Sequence, residues 1–160
     1  MTESEYLATI RDAIPNYREI PPSLMDTVEQ AVRDFPNSSE LWCLRGDMIQ
    51  LSADDCPHEL KDALASYTRA LEADSKCAEA YESIGYYYDT FTDDLEAAET
   101  AFRKAVELNA GLDSHIGFAR VLAQRGNDAA AVRVLDCCPA PEDEEVLSLR
   151  EEIENGVWSP

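Results

Sequence analysis

Residues 78–110 read AEAYESIGYYYDTFTDDLEAAETAFRKAVELNA, and two ladders of side chains run through them. The first is Tyr81, Gly85 and Tyr88, at steps of four and three; the second is Ala98, Phe102 and Ala105, at the same steps. Such steps bring side chains to one face of an α-helix. Small residues between large ones let two helices approach closely, and the large ones fill the remaining space. Thr92-Asp93-Asp94 separates the ladders and reads as a turn. The stretch is therefore a pair of antiparallel helices.

Working outward, the second ladder recurs as Leu24–Val28–Ala31, Ala63–Tyr67–Ala70 and Ala131–Leu135–Cys138, and the first as Trp42–Gly46–Ile49 and His115–Ala119–Leu122. From Ala31 to Ala70 is 39 positions, from Ala70 to Ala105 is 35, and from Ala105 to Cys138 is 33; Trp42 to Tyr81 is 39 and Tyr81 to His115 is 34. One stretched loop, Ser52 to Pro57, accounts for both intervals of 39. Helices are expected over 3–14, 23–35 with Ser23 as N-cap, 40–51, 58–73, 78–90, 95–108, 112–124, from Asn127 or Asp128 to about 138, and 142–155. Pro15 stops the first of these and Gly126 stops the 112–124 helix. The last opens on Glu142, Asp143, Glu144 and Glu145, acids that suit the positive end of a helix dipole.

A period near 34 with two helices per unit resembles the tetratricopeptide repeat (TPR) family over nearly the whole chain. The matching residues are those of the two ladders, with Pro36 where the family commonly closes a unit. The resemblance implies an all-α fold, a right-handed α-solenoid of antiparallel helix pairs with a C-terminal capping helix. It divides a single domain, 1–160, into repeats at 39–76 (with the loop insertion), 78–110 and 112–141. Residues 3–37 form a degenerate opening repeat or cap, 142–155 the capping helix, and 156–160 a tail.

Thirteen Lys and Arg stand against thirty-three Asp and Glu, a formal charge of −20. That opposes nucleic acid and anionic membrane, since both need a basic surface. It either keeps a helical stack soluble or selects a basic partner. The acidic start, Met1-Thr2-Glu3-Ser4-Glu5, lacks the pattern of a secretory signal, and no apolar run spans a membrane. Five Cys without a C-x-x-C suit a reduced, cytoplasmic protein, with Cys43 and Cys138 packing as small hydrophobes.

Catalytic motifs are missing: there is no phosphate-binding glycine loop, no G-x-S-x-G and no H-E-x-x-H. His115 takes the slot of Trp42 and Tyr81 and reads as packing. Asp54, Asp55, Cys56, His58 and Glu59 are ligand types, but no second Cys or His pair at zinc spacing accompanies them, so they read as an acidic loop and helix start. Cys137 and Cys138 point about 100° apart on a helix, which disfavours a redox role. No enzyme, cofactor or metal is expected.

In similar proteins the first helices of successive repeats line a concave groove. Here that implies Glu40, Cys43, Asp47 and Gln50, then Glu79, Glu82, Tyr86 and Asp89, then Asp113, Ile116, Arg120 and Gln124. Some relatives clamp a C-terminal carboxylate with Lys, Asn and Arg in such a groove. Those slots hold Cys43, Asp47, Ser83, Asp113 and Gly117 here, so that function does not carry over. The expected function is a protein-interaction module, an adaptor or scaffold, that takes a basic or neutral protein segment in an acidic groove. Reversing charge at Glu82 and Asp89 is the corresponding test. The alternative is a dedicated chaperone for a secreted or aggregation-prone client; the Ser52–Pro57 loop is a second candidate surface.

Overall fold

The structure is a computed structural model and describes residues 1–14, 18–52 and 57–160. The expected stop at Pro15 and residues 53–56 of the expected insertion, with Asp54, Asp55 and Cys56, lie outside the described residues. Among the described residues there are nine α-helices and no strand; Ile20 and Ser52 form an isolated bridge.

The chain divides into two compact units, Met1–Ala80 and Tyr81–Pro160. The first holds α1 (Glu3–Ala13), α2 (Pro22–Asp34), α3 (Ser39–Gln50), α4 (Leu60–Ala73) and the start of α5 (Ala78–Tyr87). In it α1 packs on α2 and α3, α2 on α3, and α3 on α4. The second holds the rest of α5, a π-helical turn over Tyr88–Thr92, α6 (Leu95–Glu107), α7 (Leu112–Gln124), α8 (Asp128–Asp136) and α9 (Glu144–Glu154). There α6 packs on α7, α7 on α8, and α9 on both α7 and α8.

Local chemistry sets the boundaries. Thr2, Ser38, Asp94, Asn127 and Asp143 each accept a backbone N–H at the start of the helix that follows, which satisfies donors that have no partner inside the helix. Gly126 (φ 77°) closes α7, as the sequence implies, and Asn127 N–H then bonds Leu122 O at 2.8 Å. Four expected boundaries are corrected. Ser23 is not the cap of α2: Pro21 is, and Pro22 takes the first helical position, where a missing N–H costs nothing. Helix α4 starts at Leu60 because the Glu59 N–H donates to the Asp62 carboxylate at 2.9 Å, leaving His58 outside. Helix α9 starts at Glu144, since Asp143 caps it and Glu142 precedes the cap. The 78–90 helix leaves α geometry after Tyr87 and ends in the π turn, stopped by the left-handed Asp93 (φ 53°).

The second-helix ladders are buried in all four copies, with Val28, Tyr67, Phe102 and Leu135 fully enclosed. In the first unit Tyr67 lies against Gly46; a methyl at Gly46 would sit 2.4 Å from Tyr67 Cε1 and 2.7 Å from its Cζ. The Tyr67 hydroxyl donates to Asp47 Oδ1 at 2.7 Å and accepts from Gln50 Nε2 at 2.6 Å, which fixes the ring. In the second unit Phe102 is held between two glycines: a methyl at Gly85 would sit 2.8 Å from its ring and one at Gly117 2.5 Å. Helix α9 closes the second core with Val146, Leu149 and Ile153.

The expected α1 face, Tyr6, Leu7, Ile10 and Ile14, has Tyr6 and Ile10 buried and the other two partly so. The Tyr6 hydroxyl donates to Asp34 Oδ2 at 2.8 Å and, with the Gln30 amide, holds the Asp34 carboxyl below its ordinary range. A carboxyl depressed in the folded state contributes stability above its unfolded value near pH 4 and loses it as pH falls through the folded value. In Tyr6→Phe the Asp34 midpoint, followed by NMR titration, is expected to rise toward the ordinary value; an unmoved midpoint refutes the assignment.

Candidate protein-binding surface

In the second unit the sequence-identified residues of α5 and α7 meet. Glu82 accepts a hydrogen bond from the Ser114 hydroxyl. The Tyr86 hydroxyl donates to the Asp113 carbonyl oxygen at 2.8 Å. Asp89, in the π turn, accepts from Arg120 Nη2 at 2.6 Å and from Gln124 Nε2 at 3.3 Å. The Arg120 guanidinium carbon lies 5.8 Å from the centre of the Tyr86 ring, a cation–π distance. Tyr86 also meets Phe102 edge-on at 4.9 Å. Burial pushes the Tyr86 phenol up to about 12, so it stays a neutral donor over the physiological range.

Ile116, also expected on this surface, points into the core instead and is 4% exposed. The Asp89 side chain is 8% exposed. Arg120 cancels its charge, so in the second unit the acids of α5 and α7 that face solvent are the exposed Asp113 and the partly exposed Glu82.

In the first unit the residues fall in separate places. Glu40 is exposed and pairs with Arg11 at 2.9 Å. Asp47 and Gln50 hold the Tyr67 hydroxyl. Cys43 is buried, its sulfur 3.7 Å from that of Cys77, and Glu79 is exposed.

His58 lies in a polar cluster unlike a metal centre. Arg45 donates to Glu29 Oε1 at 2.8 Å and to the Ser66 hydroxyl at 2.6 Å, while His58 Nε2 lies 2.9 Å from the same Glu29 oxygen. No group of three or more His, Cys, Asp or Glu placed to hold a metal occurs among the described residues. Nor is any described helix long and apolar enough to cross a membrane.

Three features escaped the sequence reading. Ser114, fully buried beneath Glu82, is one. The Arg45–Glu29–His58 cluster is the second; its members lie on α3, on α2 and ahead of α4, with no shared spacing. The third is an open groove of about 690 Å³ in the second unit, with Tyr81, Ile84, Tyr88, Ala97 and Ala101 in its wall and Lys104 among its charged residues. The signal for it was present: the ladder aromatics Tyr81 and Tyr88 are half-buried, not enclosed.

Paired antiparallel helices, with small ladder residues against enclosed aromatic rings, have the fold of tetratricopeptide repeat proteins. The sequence matches no protein-family model and no curated protein. Among solved structures the chain is similar to a thermophilic TPR protein of Thermus thermophilus, with a TM-score of 0.75 at 14% identity over 98% of this chain and 82% of that one. It is also similar to two crystal structures of MamA. Their TM-scores are 0.67 and 0.64, at 16% and 17% identity, over 96% of this chain and 81% and 76% of theirs. At these identities the likeness establishes the fold.

Proposed function

We propose that the chain is a non-enzymatic protein-interaction module, and that the α5–α7 surface receives a basic or neutral segment of a protein partner. The observation that carries this is the meeting of Glu82, Tyr86, Asp113 and Arg120 on two adjacent helices. An aromatic face offers contact area at low entropic cost, and solvent-facing acids beside it select positive or neutral charge. The net charge of −20 steers such a partner from a distance. The single repeat-built domain is part of the same reading. A cytoplasmic location accords with the free Cys43, Cys77, Cys137 and Cys138.

The test neutralises charge without disturbing packing. Glu82→Gln keeps an acceptor for Ser114, and Asp113→Asn keeps the backbone carbonyl that Tyr86 uses. In affinity capture from extract of the native cells, the wild-type chain is expected to retain a partner that elutes as salt rises. The double variant is expected to retain it about tenfold less well, on the order of 1.4 kcal/mol. Undiminished capture by a normally helical double variant removes this surface from consideration.

The second reading, a chaperone for a secreted or aggregation-prone client, is favoured by the groove beside Tyr81, Ile84 and Tyr88, which presents apolar surface to solvent. Co-expression separates the two: a client insoluble alone and soluble with this chain supports the chaperone, and a partner that folds by itself supports the adaptor.

A further inference from the structure

We propose that Cys43 and Cys77 form a hydroperoxide-reactive dithiol site that closes to a disulfide between α3 and the residue leading into α5. Their sulfurs lie 3.7 Å apart, across 34 positions of sequence and within one compact unit. A disulfide needs about 2.05 Å, so the sulfurs must approach by about 1.7 Å. No other cysteine pair has both a buried setting and a sulfur–sulfur contact among the described residues: Cys137 is exposed and Cys138 packs in the second unit's core.

The two sulfurs have different surroundings, which assigns their roles. Cys77 precedes Ala78, the first residue of α5; its sulfur receives hydrogen bonds from the Ala80 backbone N–H and the Ser39 hydroxyl and lies in contact with the Cys43 sulfur. Donors of this kind at a helix start stabilise a thiolate. The contact with Cys43 and these donors hold Cys77 below the ordinary thiol range against the opposing effects of burial and of Glu79. Cys43 is held in the thiol form by its contact with Cys77, by burial and by the Asp47 and Glu79 carboxylates. From α4 the site receives Ala70 and the partly buried Leu71, which carry no charge. Cys77 is therefore the attacking thiolate and Cys43 the resolving thiol.

The chemistry balances with one hydrogen peroxide, the simplest hydroperoxide, as oxidant. The Cys77 thiolate attacks the peroxide oxygen; the O–O bond breaks, and hydroxide leaves and takes a proton from solvent. Cys77 is then a sulfenic acid. The Cys43 sulfur attacks the Cys77 sulfur, the S–O bond breaks, and the Cys43 proton leaves with the hydroxyl as water. Two thiols lose two electrons, and the peroxide is reduced to two waters.

The experiment treats the folded full-length chain with a small excess of hydrogen peroxide and maps the products by mass. The expected result is a loss of about 2 Da, a linked peptide pair containing Cys43 and Cys77, and full reversal by dithiothreitol. The initial rate is expected to climb with pH as Cys77 ionises, and to do so at lower pH than for an ordinary thiol. In Cys43→Ser the reaction stops at the sulfenic acid, captured by dimedone on Cys77. The mapping on the unmutated chain stands even if that variant folds poorly. Oxidation that spares Cys43 and Cys77, or links through Cys56, Cys137 or Cys138 instead, overturns the proposal.

Discussion

Phe102→Ala is expected to lower the stability of the chain by about 4 kcal/mol, read as a drop in the urea midpoint. Phe102 is fully enclosed, and Gly85 of α5 and Gly117 of α7 both lie against its ring. Removing the ring thus empties the contact of two helices at once, and the backbone there cannot collapse without moving both. Against a typical total of about 5–15 kcal/mol, the loss brings the chain close to unfolding. The glycines supply a control. Gly117→Ala alone forces its methyl into the ring and is expected to cost about 2 kcal/mol. Combined with Phe102→Ala, that methyl enters the vacated space, so the double variant is expected to recover at least about 1 kcal/mol over the sum of the single changes. Strict additivity would show that the ring and the glycine do not touch in solution.

Asp89→Lys is expected to destabilise the chain by about 3–5 kcal/mol, and to do so before it affects any partner. Its carboxylate is nearly enclosed and accepts from both Arg120 and Gln124. A lysine there sets two cations together and leaves the Gln124 amide without its acceptor. Asp89→Asn, which keeps an oxygen for one of those donors, is expected to cost less than half as much. Far-UV circular dichroism during urea unfolding distinguishes the pair; equal midpoints for wild type and Asp89→Lys would refute the role. This alters how the binding surface must be tested. Reversal at Glu82 and Asp89, which follows from the sequence alone, confounds folding with binding. Neutralisation at Glu82 and Asp113 does not.

The ladders were legible because they are local. Steps of three and four reveal a helix face without knowledge of what covers it, and the four buried second-helix ladders follow from that periodicity. Helix ends were legible where a single residue decides them, as at Gly126, and were missed where two compete. Pro22 outcompetes Ser23 because its ring fits the first helical position, while Ser23 loses nothing by lying one step inside. The binding surface was half legible. The family resemblance put Tyr86, Asp89, Arg120 and Gln124 on one surface, but neither it nor helical spacing can tell an acid that meets solvent from one that meets an arginine on another helix. Ile116 shows the same limit: one helix step separates a surface position from the core. Cys77 was illegible in a different way. It sits between helices, where no periodicity speaks, and its significance comes entirely from Cys43 34 positions earlier.

The π-helical turn at Tyr88–Thr92 also bears on how this chain tolerates a change of length. From Tyr81 to Ala98 is 17 positions, while the corresponding step from His115 to Ala131 is 16. The surplus residue falls in the connection between α5 and α6, where the backbone widens to i+5 bonding. A widened turn absorbs one residue within a single coil, so Ala98, Phe102 and Ala105 still arrive on the buried face of α6. The connection acts as a splice: it takes up the extra residue and leaves the ladder of α6 in register with its core.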